Sequence, residues 1–150
     1  MLAALRAGTV AGLAGGVLLD AYLVAVNALA RNIEPASYFE FVASALIGKA
    51  GYSLPGTVAL GVVTSLVVAG GWGVGYAWAA GRTPAVLARP YLAGTVYGVV
   101  VAITMQIVEV AAGIWSPVAL GPAFTLLVAH TLFFGIPVAL ITRTLLQPVA

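Results

Sequence analysis

The sequence predicts an all-α integral membrane protein with four transmembrane helices and one short interfacial helix. Hydrophobic residues make up 63% of the chain and charged residues only 7%, whereas roughly a quarter of the residues in a soluble domain are charged. The mean hydropathy of +1.14 agrees with this composition. Because each span needs roughly twenty apolar residues, the 150 residues form a single transmembrane domain and leave no room for an extramembrane domain.

The first predicted span covers residues 7–28 and carries a stripe of glycines. Gly8, Gly12 and Gly16 recur every four residues, so they lie on one helix face and allow a second helix to approach closely in lipid. The stripe ends at Asp20. The stretch is too long for the apolar region of a secretory signal peptide and contains a carboxylate, so we expect it to remain in the membrane.

A short amphipathic helix is predicted over residues 37–48, between the first two spans. Ser37 and Glu40 have the spacing of a capping box, and apolar residues recur at helical intervals from Phe41 to Leu46. Polar residues occupy the opposite face, so we expect this helix to lie in the membrane interface.

The remaining spans are predicted over residues 55–80, 91–113 and 117–144. They are joined by short connections, which favours an up-down bundle. In the second span, Gly71 and Gly75 stand four residues apart and predict another close contact between helices.

Positively charged residues predict the orientation of the bundle. Four arginines fall at the end that holds both termini, against one arginine and one lysine at the other end. Because positive residues concentrate on the cytoplasmic side, both termini are expected in the cytoplasm and the chain in the inner (plasma) membrane. The residues counted are Arg6, Arg82, Arg89 and Arg143 against Arg31 and Lys49.

The two halves of the sequence resemble each other. AGTVAG at residues 7–12 is echoed by AGTVYG at residues 93–98. A repeat of two helices preserves direction across the membrane, so the halves are expected to be related by an axis along the membrane normal. The aligned pairs are Gly8 with Gly94, Gly12 with Gly98, Asp20 with Gln106, Trp72 with Phe134 and Gly73 with Gly135.

Four polar side chains are predicted to form an intramembrane cluster. Asp20, Gln106 and His130 lie at similar depth, roughly 20 Å from the cytoplasmic end, and Glu109 lies one turn further out. Such groups nearly always face the bundle interior, a cavity or a partner chain. We therefore expect the four to converge.

Each of these side chains has two interpretations. Asp20 is either a proton or cation site, or a protonated or hydrogen-bonded carboxyl that joins the first helix to Gln106 or His130. Glu109 either belongs to that site or is hydrated or paired with Arg31, and Gln106 is expected to donate a hydrogen bond between helices.

His130 is the only histidine. It is either a buried hydrogen-bonded side chain, a proton or polar-ligand site, or an axial haem ligand together with Met105 at similar depth. We expect no cofactor and no metal, with haem as the lesser alternative. Pro137 removes a backbone hydrogen bond to Phe133 and is expected to kink the last helix just beyond His130.

Several classes of function are disfavoured by the sequence. The chain has no cysteine, which excludes disulfides and thiolate sites. A net charge of +2 provides no basic stripe for nucleic acid. No phosphate loop, zinc signature or nucleophile–base pair is present, so we expect no enzymatic activity.

Two functions fit the remaining features. The first is a small integral subunit or helper within a larger membrane complex, such as an energy-transducing one, in contact with other subunits or with itself. The second is a minimal homo-oligomeric transporter or channel, in which the polar cluster lines the route. Both place the chain in the lipid bilayer.

The motif AGTVAG, the pair Tyr97-Gly98, and His130 followed by Phe134-Gly135 resemble the small four-helix bacterial inner-membrane proteins of the YagU-like type. The resemblance spans most of the chain. It implies the four-helix fold and no particular activity, since the function of that type is not established. This chain has Val68 where the repeat would place a second histidine, which argues against a paired-histidine site.

Overall fold

A computed structural model describes residues 1–48, 52, 54–113 and 120–147, and all regular structure in these residues is helical. Four helical segments are long and apolar enough to cross a membrane, which confirms the predicted all-α four-helix fold. The elements are α1 (Leu2–Arg31), α2 (Pro35–Ile47), α3 (Thr57–Ala80), α4 (Pro84–Ala88), α5 (Pro90–Ala111), α6 (Leu120–Val128), a π-helical segment (Ala129–Gly135) and α7 (Ile136–Leu146).

The last three elements follow one another without a break and together form the fourth span. Consecutive spans run in opposite directions. The amino terminus, the α3–α5 connection and the end of α7 therefore lie at one end of the bundle, here called the terminal end. Helix α2 lies at the other, the α2 end. Residues 117–119 of the predicted fourth span are outside the described residues.

The first span is longer than predicted, and the helix after it begins earlier. Helix α1 ends where Asn32 adopts a left-handed conformation with φ of 55°, a common way to end a helix. Helix α2 begins at Pro35, whose fixed φ and missing N–H suit the first helical position. The predicted capping box is wrong: Glu34 is the N-cap, and no side chain caps the helix.

Glycines bring α1 and α3 into backbone contact. A Cβ atom at Gly73 would collide with the backbone of Gly8 and Gly12, and one at Gly16 would collide with the Cβ of Ala69. Such close approach is how helices gain packing energy in lipid, where no hydrophobic force drives them together. The stripe predicted from the sequence therefore faces α3.

The close contact predicted for Gly71 and Gly75 is wrong within the chain. Both glycines are exposed, and a Cβ atom at either would meet no atom of another element. Gly73 makes the contact instead. Glycines four residues apart share a helix face but do not reveal which face is buried, and here α1 lies on the opposite side.

Helix α5 and the fourth span form a second pair of helices, which repeats the glycine contact between α1 and α3. A Cβ atom at Gly135 would collide with the backbone of Gly94 and Gly98, and Gly98 lies against the backbone of His130 and Thr131. Gly135 thus has the same relation to Gly94 and Gly98 that Gly73 has to Gly8 and Gly12. The internal repeat seen in the sequence is present in the packing.

The two pairs leave a gap between α3 and α5. Helix α1 packs on both α3 and the fourth span, and α5 packs on the fourth span, but the described backbones of α3 and α5 barely approach each other. Near the terminal end the gap is closed by side chains, because the Tyr97 hydroxyl donates to the Trp72 carbonyl and its ring contacts that of Tyr76. At the α2 end, α2 packs along α3, with the Phe39 backbone against Gly61.

The fourth span contains one π-helical segment. The Ile136 N–H donates to the Thr131 carbonyl, five residues back, instead of the usual four. Pro137 follows directly and has no N–H to continue the pattern. The kink predicted just beyond His130 stays a prediction, and the π-helical segment that includes His130 was not predicted. π-helical turns of this kind occur frequently at functional sites.

Candidate intramembrane binding site

A cavity of about 270 Å³ occupies the α2 half of the gap between α3 and α5. Helices α1 and α2 and the fourth span complete its walls. Trp72 and Phe134 lie at the end nearer the termini, and Glu109 lies near the α2 end of α5. Most of the wall is apolar, with contributions from Leu23, Val42, Val68, Val101 and Met105.

Asp20 lies directly behind two of the lining side chains. It is buried, with 6% of its surface exposed. The Tyr38 hydroxyl donates to Asp20 Oδ1 at 2.8 Å, and Ser65 Oγ lies 2.8 Å from both carboxyl oxygens. One carboxyl group therefore joins α1, α2 and α3.

The partners predicted for Asp20 were wrong. Neither Gln106 nor His130 bonds to it; its hydrogen bonds come from Tyr38 and Ser65. The reason is that α2 packs inward along α3 and brings a tyrosine to the depth of the carboxyl group.

Tyr38 lies outside the four spans, on α2, but its hydroxyl is enclosed. Burial raises the pKa of Tyr38 well above its ordinary value, and the Asp20 and Glu109 carboxyl groups raise this pKa further. The phenol therefore keeps its hydrogen for the bond to Asp20. Tyr38 and Glu109 both line the cavity.

Gln106 bonds within its own helix. Its Nε2 donates to Glu109 Oε2 at 2.8 Å, three residues further along α5, so the predicted hydrogen bond between helices is not formed. Arg31, considered as a partner for Glu109, instead donates to Asn27 Oδ1 at 3.4 Å. Glu109 lines the cavity, and Gln106 stands behind it.

His130 also lines the cavity and is 8% exposed. Its Nδ1 lies 2.8 Å from the Leu126 carbonyl. Because a carbonyl oxygen only accepts, Nδ1 carries the hydrogen, and Nε2 of the neutral ring is an acceptor. No other described residue bonds to this ring. Met105, its predicted haem partner, lines the same cavity.

The structure therefore gathers most of the predicted cluster around one cavity. Glu109 and His130 line it directly, and Asp20 reaches it through Tyr38 and Ser65. Ser65 was not among the predicted site residues, and α2, which carries Tyr38, was predicted to lie in the membrane interface. A hydroxyl in the interior of an apolar span was the available signal for Ser65; nothing local indicates that α2 packs inward.

No group of three or more histidine, cysteine or acidic side chains able to hold a metal occurs in the described part of the chain. Comparison with protein-family models, with curated proteins and with solved structures finds no match.

Proposed function

We propose that this protein binds a small amphipathic molecule inside the membrane, as a minimal transporter does. The observation that carries the proposal is the cavity, whose apolar wall holds a few polar side chains at Tyr38, Ser65, Glu109 and His130. Sites for small molecules have this composition, in which the wall provides affinity and the few polar groups fix orientation.

The position of the cavity suits entry from the lipid. Two of the residues that line it, Leu46 and Val108, are 64% and 47% exposed. These side chains belong to α2 and α5, which do not pack together closely. A molecule dissolved in the membrane therefore enters sideways between the two helices.

The direct test is equilibrium binding to the protein in lipid nanodiscs, with empty nanodiscs as the blank. The probes are 4-phenylbutylamine, 4-phenylbutan-1-ol and 4-phenylbutanoate, which share one apolar body. We expect saturable binding of at least one probe. Val68→Trp fills the cavity and should abolish this binding, whereas Val67→Trp places the same side chain on the 67% exposed position beside it and should not.

The absence of saturable binding for all three probes would overturn the proposal. Unchanged binding by Val68→Trp would also overturn it, since the probe would then occupy another place.

A second candidate is a subunit or helper of a larger membrane complex, such as an energy-transducing one. The exposed Gly71 and Gly75 support it, because bare backbone on a lipid-facing helix favours close packing of another helix. Native mass measurement after mild detergent extraction tests this candidate. We expect wild type to co-purify with a partner or a second copy and Gly71→Leu to lose it; a lone wild-type monomer would contradict this function.

Haem bound by His130 and Met105 is the lesser alternative. Both residues line the cavity, and Nε2 of the neutral histidine provides the lone pair that iron would need. The test is the visible absorption spectrum of the purified protein, and the absence of a Soret band would contradict haem binding.

Three further expectations belong to the same proposal. The chain resides in the inner membrane with both termini cytoplasmic, so the cavity opens in the outer leaflet. It has no enzymatic activity. It is related to the YagU-like proteins, a relation that rests on the short motifs given above.

A further inference from the structure

We infer that the molecule bound in the cavity is a lipophilic primary amine in its protonated form, held by the hydrogen-bond acceptors of Tyr38, Ser65, Glu109 and His130. This inference rests on the proposed function and names the chemical class of its ligand. It follows from the hydrogen bonds that the lining groups already make, because these bonds use nearly all of their donors and leave acceptors unused.

Each hydroxyl group among the described wall residues already donates its hydrogen to another group of the protein. Tyr38 and Ser65 each donate to Asp20, and Thr64 donates to the Leu60 carbonyl at 2.7 Å. A hydroxyl group has one hydrogen and two lone pairs. The oxygens of these side chains can therefore only accept from a ligand.

Glu109 and His130 add two further acceptors. Gln106 Nε2 donates a hydrogen bond to Glu109 Oε2, and Glu109 Oε1 accepts no hydrogen bond from the described residues. His130 uses its single hydrogen on the Leu126 carbonyl, which leaves Nε2 as an acceptor in a side chain that is more than nine-tenths buried.

Donors are nearly absent from the described lining. It contains no lysine or arginine. Trp72 brings an indole N–H, but it lies at the opposite end of the cavity from Glu109. Along α5, the residue level with Trp72 is Tyr97, which is about 18 Å from Glu109 along the helix axis.

A protonated amine complements this arrangement. It presents three N–H donors and one positive charge, and two carboxyl groups lie in or directly behind the wall. At the Glu109 end, an anion would meet only acceptors among the described lining residues and would lose its hydration without compensation. The apolar body of the ligand fits between Val68, Val101 and Met105, since a cavity of about 150 Å³ already holds benzene and this one has about 270 Å³.

The test compares the same three probes in phosphatidylcholine nanodiscs. We expect 4-phenylbutylamine to bind at least about tenfold more tightly than 4-phenylbutan-1-ol, and 4-phenylbutanoate not to bind. Glu109→Gln should reduce this preference for the amine by about tenfold. Glu40→Gln removes a charge from α2 at a position that does not line the cavity and should keep the preference.

A fourth probe separates charge from hydrogen bonding in the wild-type protein. The trimethylammonium analogue of the amine carries the charge but has no N–H donor, so we expect it to bind more weakly than the primary amine. This comparison holds even if Glu109→Gln fails to fold.

The outcomes distinguish the two proposals. If the alcohol or the carboxylate binds as tightly as the amine, or if the trimethylammonium analogue binds as tightly as the primary amine, the ligand class is wrong and the binding function stands. If no probe binds, the proposed function itself fails.

Discussion

The Asp20 carboxyl group ties three helices together through two hydroxyl groups. Ser65 lies 2.8 Å from both carboxyl oxygens, so Ser65→Ala leaves Tyr38 as the remaining donor. Hydrogen bonds between helices in membranes contribute about 0.6–2 kcal/mol, and we expect a loss of stability in this range. The measurement is unfolding of the purified protein by SDS titration from mild detergent micelles.

Thr104→Ala is the matched control for this prediction. Thr104 donates only to the Val100 carbonyl of its own helix, so its removal should change the free energy of unfolding by less than about 0.5 kcal/mol. Equal losses in Ser65→Ala and Thr104→Ala would show that the bond to Asp20 does not stabilise the bundle.

Tyr38 makes the stability of the bundle vary with pH in the alkaline range. Burial, Asp20 and Glu109 raise the pKa of Tyr38 in the folded protein, whereas the unfolded chain releases this proton near pH of about 10. The stabilisation by the Tyr38 hydroxyl is therefore complete below about pH 10 and is lost as the pH rises further, by up to about 1.4 kcal/mol per pH unit.

The test is the stability difference between wild type and Tyr38→Phe, measured from pH 8 to pH 12. We expect this difference to shrink above about pH 10. The difference between wild type and Ser65→Ala, whose hydroxyl does not titrate in this range, should stay constant. A Tyr38→Phe difference that is flat or grows with pH would contradict the buried bond.

The residues of the site were only partly predictable from the sequence. An ionisable side chain within an apolar run is conspicuous because its burial is costly, and this identified Asp20, Glu109 and His130. Their partners were not predictable in the same way. The Tyr38 bond joins residues 18 positions apart and the Ser65 bond joins residues 45 positions apart, and both depend on where α2 packs.

At the scale of the helices, glycine contacts hold each pair together. A Cβ atom at Gly73 would collide with the backbone of Gly8 and Gly12, whereas one at Gly71 would meet no atom of another element. Gly73→Ala should therefore destabilise the bundle by about 1–3 kcal/mol through overpacking. Gly71→Ala should be neutral or stabilise it by up to about 1 kcal/mol, since alanine is the better helix former.

Gly135→Ala should behave as Gly73→Ala does, because Gly135 occupies the equivalent place in the second pair. Unfolding of all three variants in the same detergent makes the comparison. A loss in Gly71→Ala as large as that in Gly73→Ala would contradict this packing.

The sequence predicted the glycine stripe of α1 but not which face of α3 receives it. Four-residue spacing defines a face of the helix. Gly71, Gly73 and Gly75 all lie in one short stretch of α3, however, and because lipid is as apolar as the bundle interior, hydropathy does not distinguish the buried face from the lipid-facing one. The repeat aligned Gly73 with Gly135, but nothing in that alignment indicated that either glycine is buried. The π-helical segment had no distinct signal, because hydropathy does not separate α from π turns.

For the whole molecule, the arginine distribution predicts that both termini are cytoplasmic. The chain has no cysteine, so single cysteines report topology without background. A membrane-impermeant maleimide should label Glu34→Cys on intact cells and Leu2→Cys only after permeabilisation; both positions are exposed at opposite ends of the bundle. The reverse pattern would invert the proposed orientation and move the cavity to the inner leaflet.

The central claim is that one cavity within a single chain receives an amphipathic molecule from the membrane. Photolabelling in nanodiscs with a diazirine derivative of 4-phenylbutylamine, followed by peptide mass spectrometry, tests this claim most directly. We expect label on the cavity residues Val68 and Met105, and we expect this label to disappear when excess unmodified amine is added. Label confined to the lipid-facing Val63 and Val67, or label that excess amine does not reduce, would contradict it.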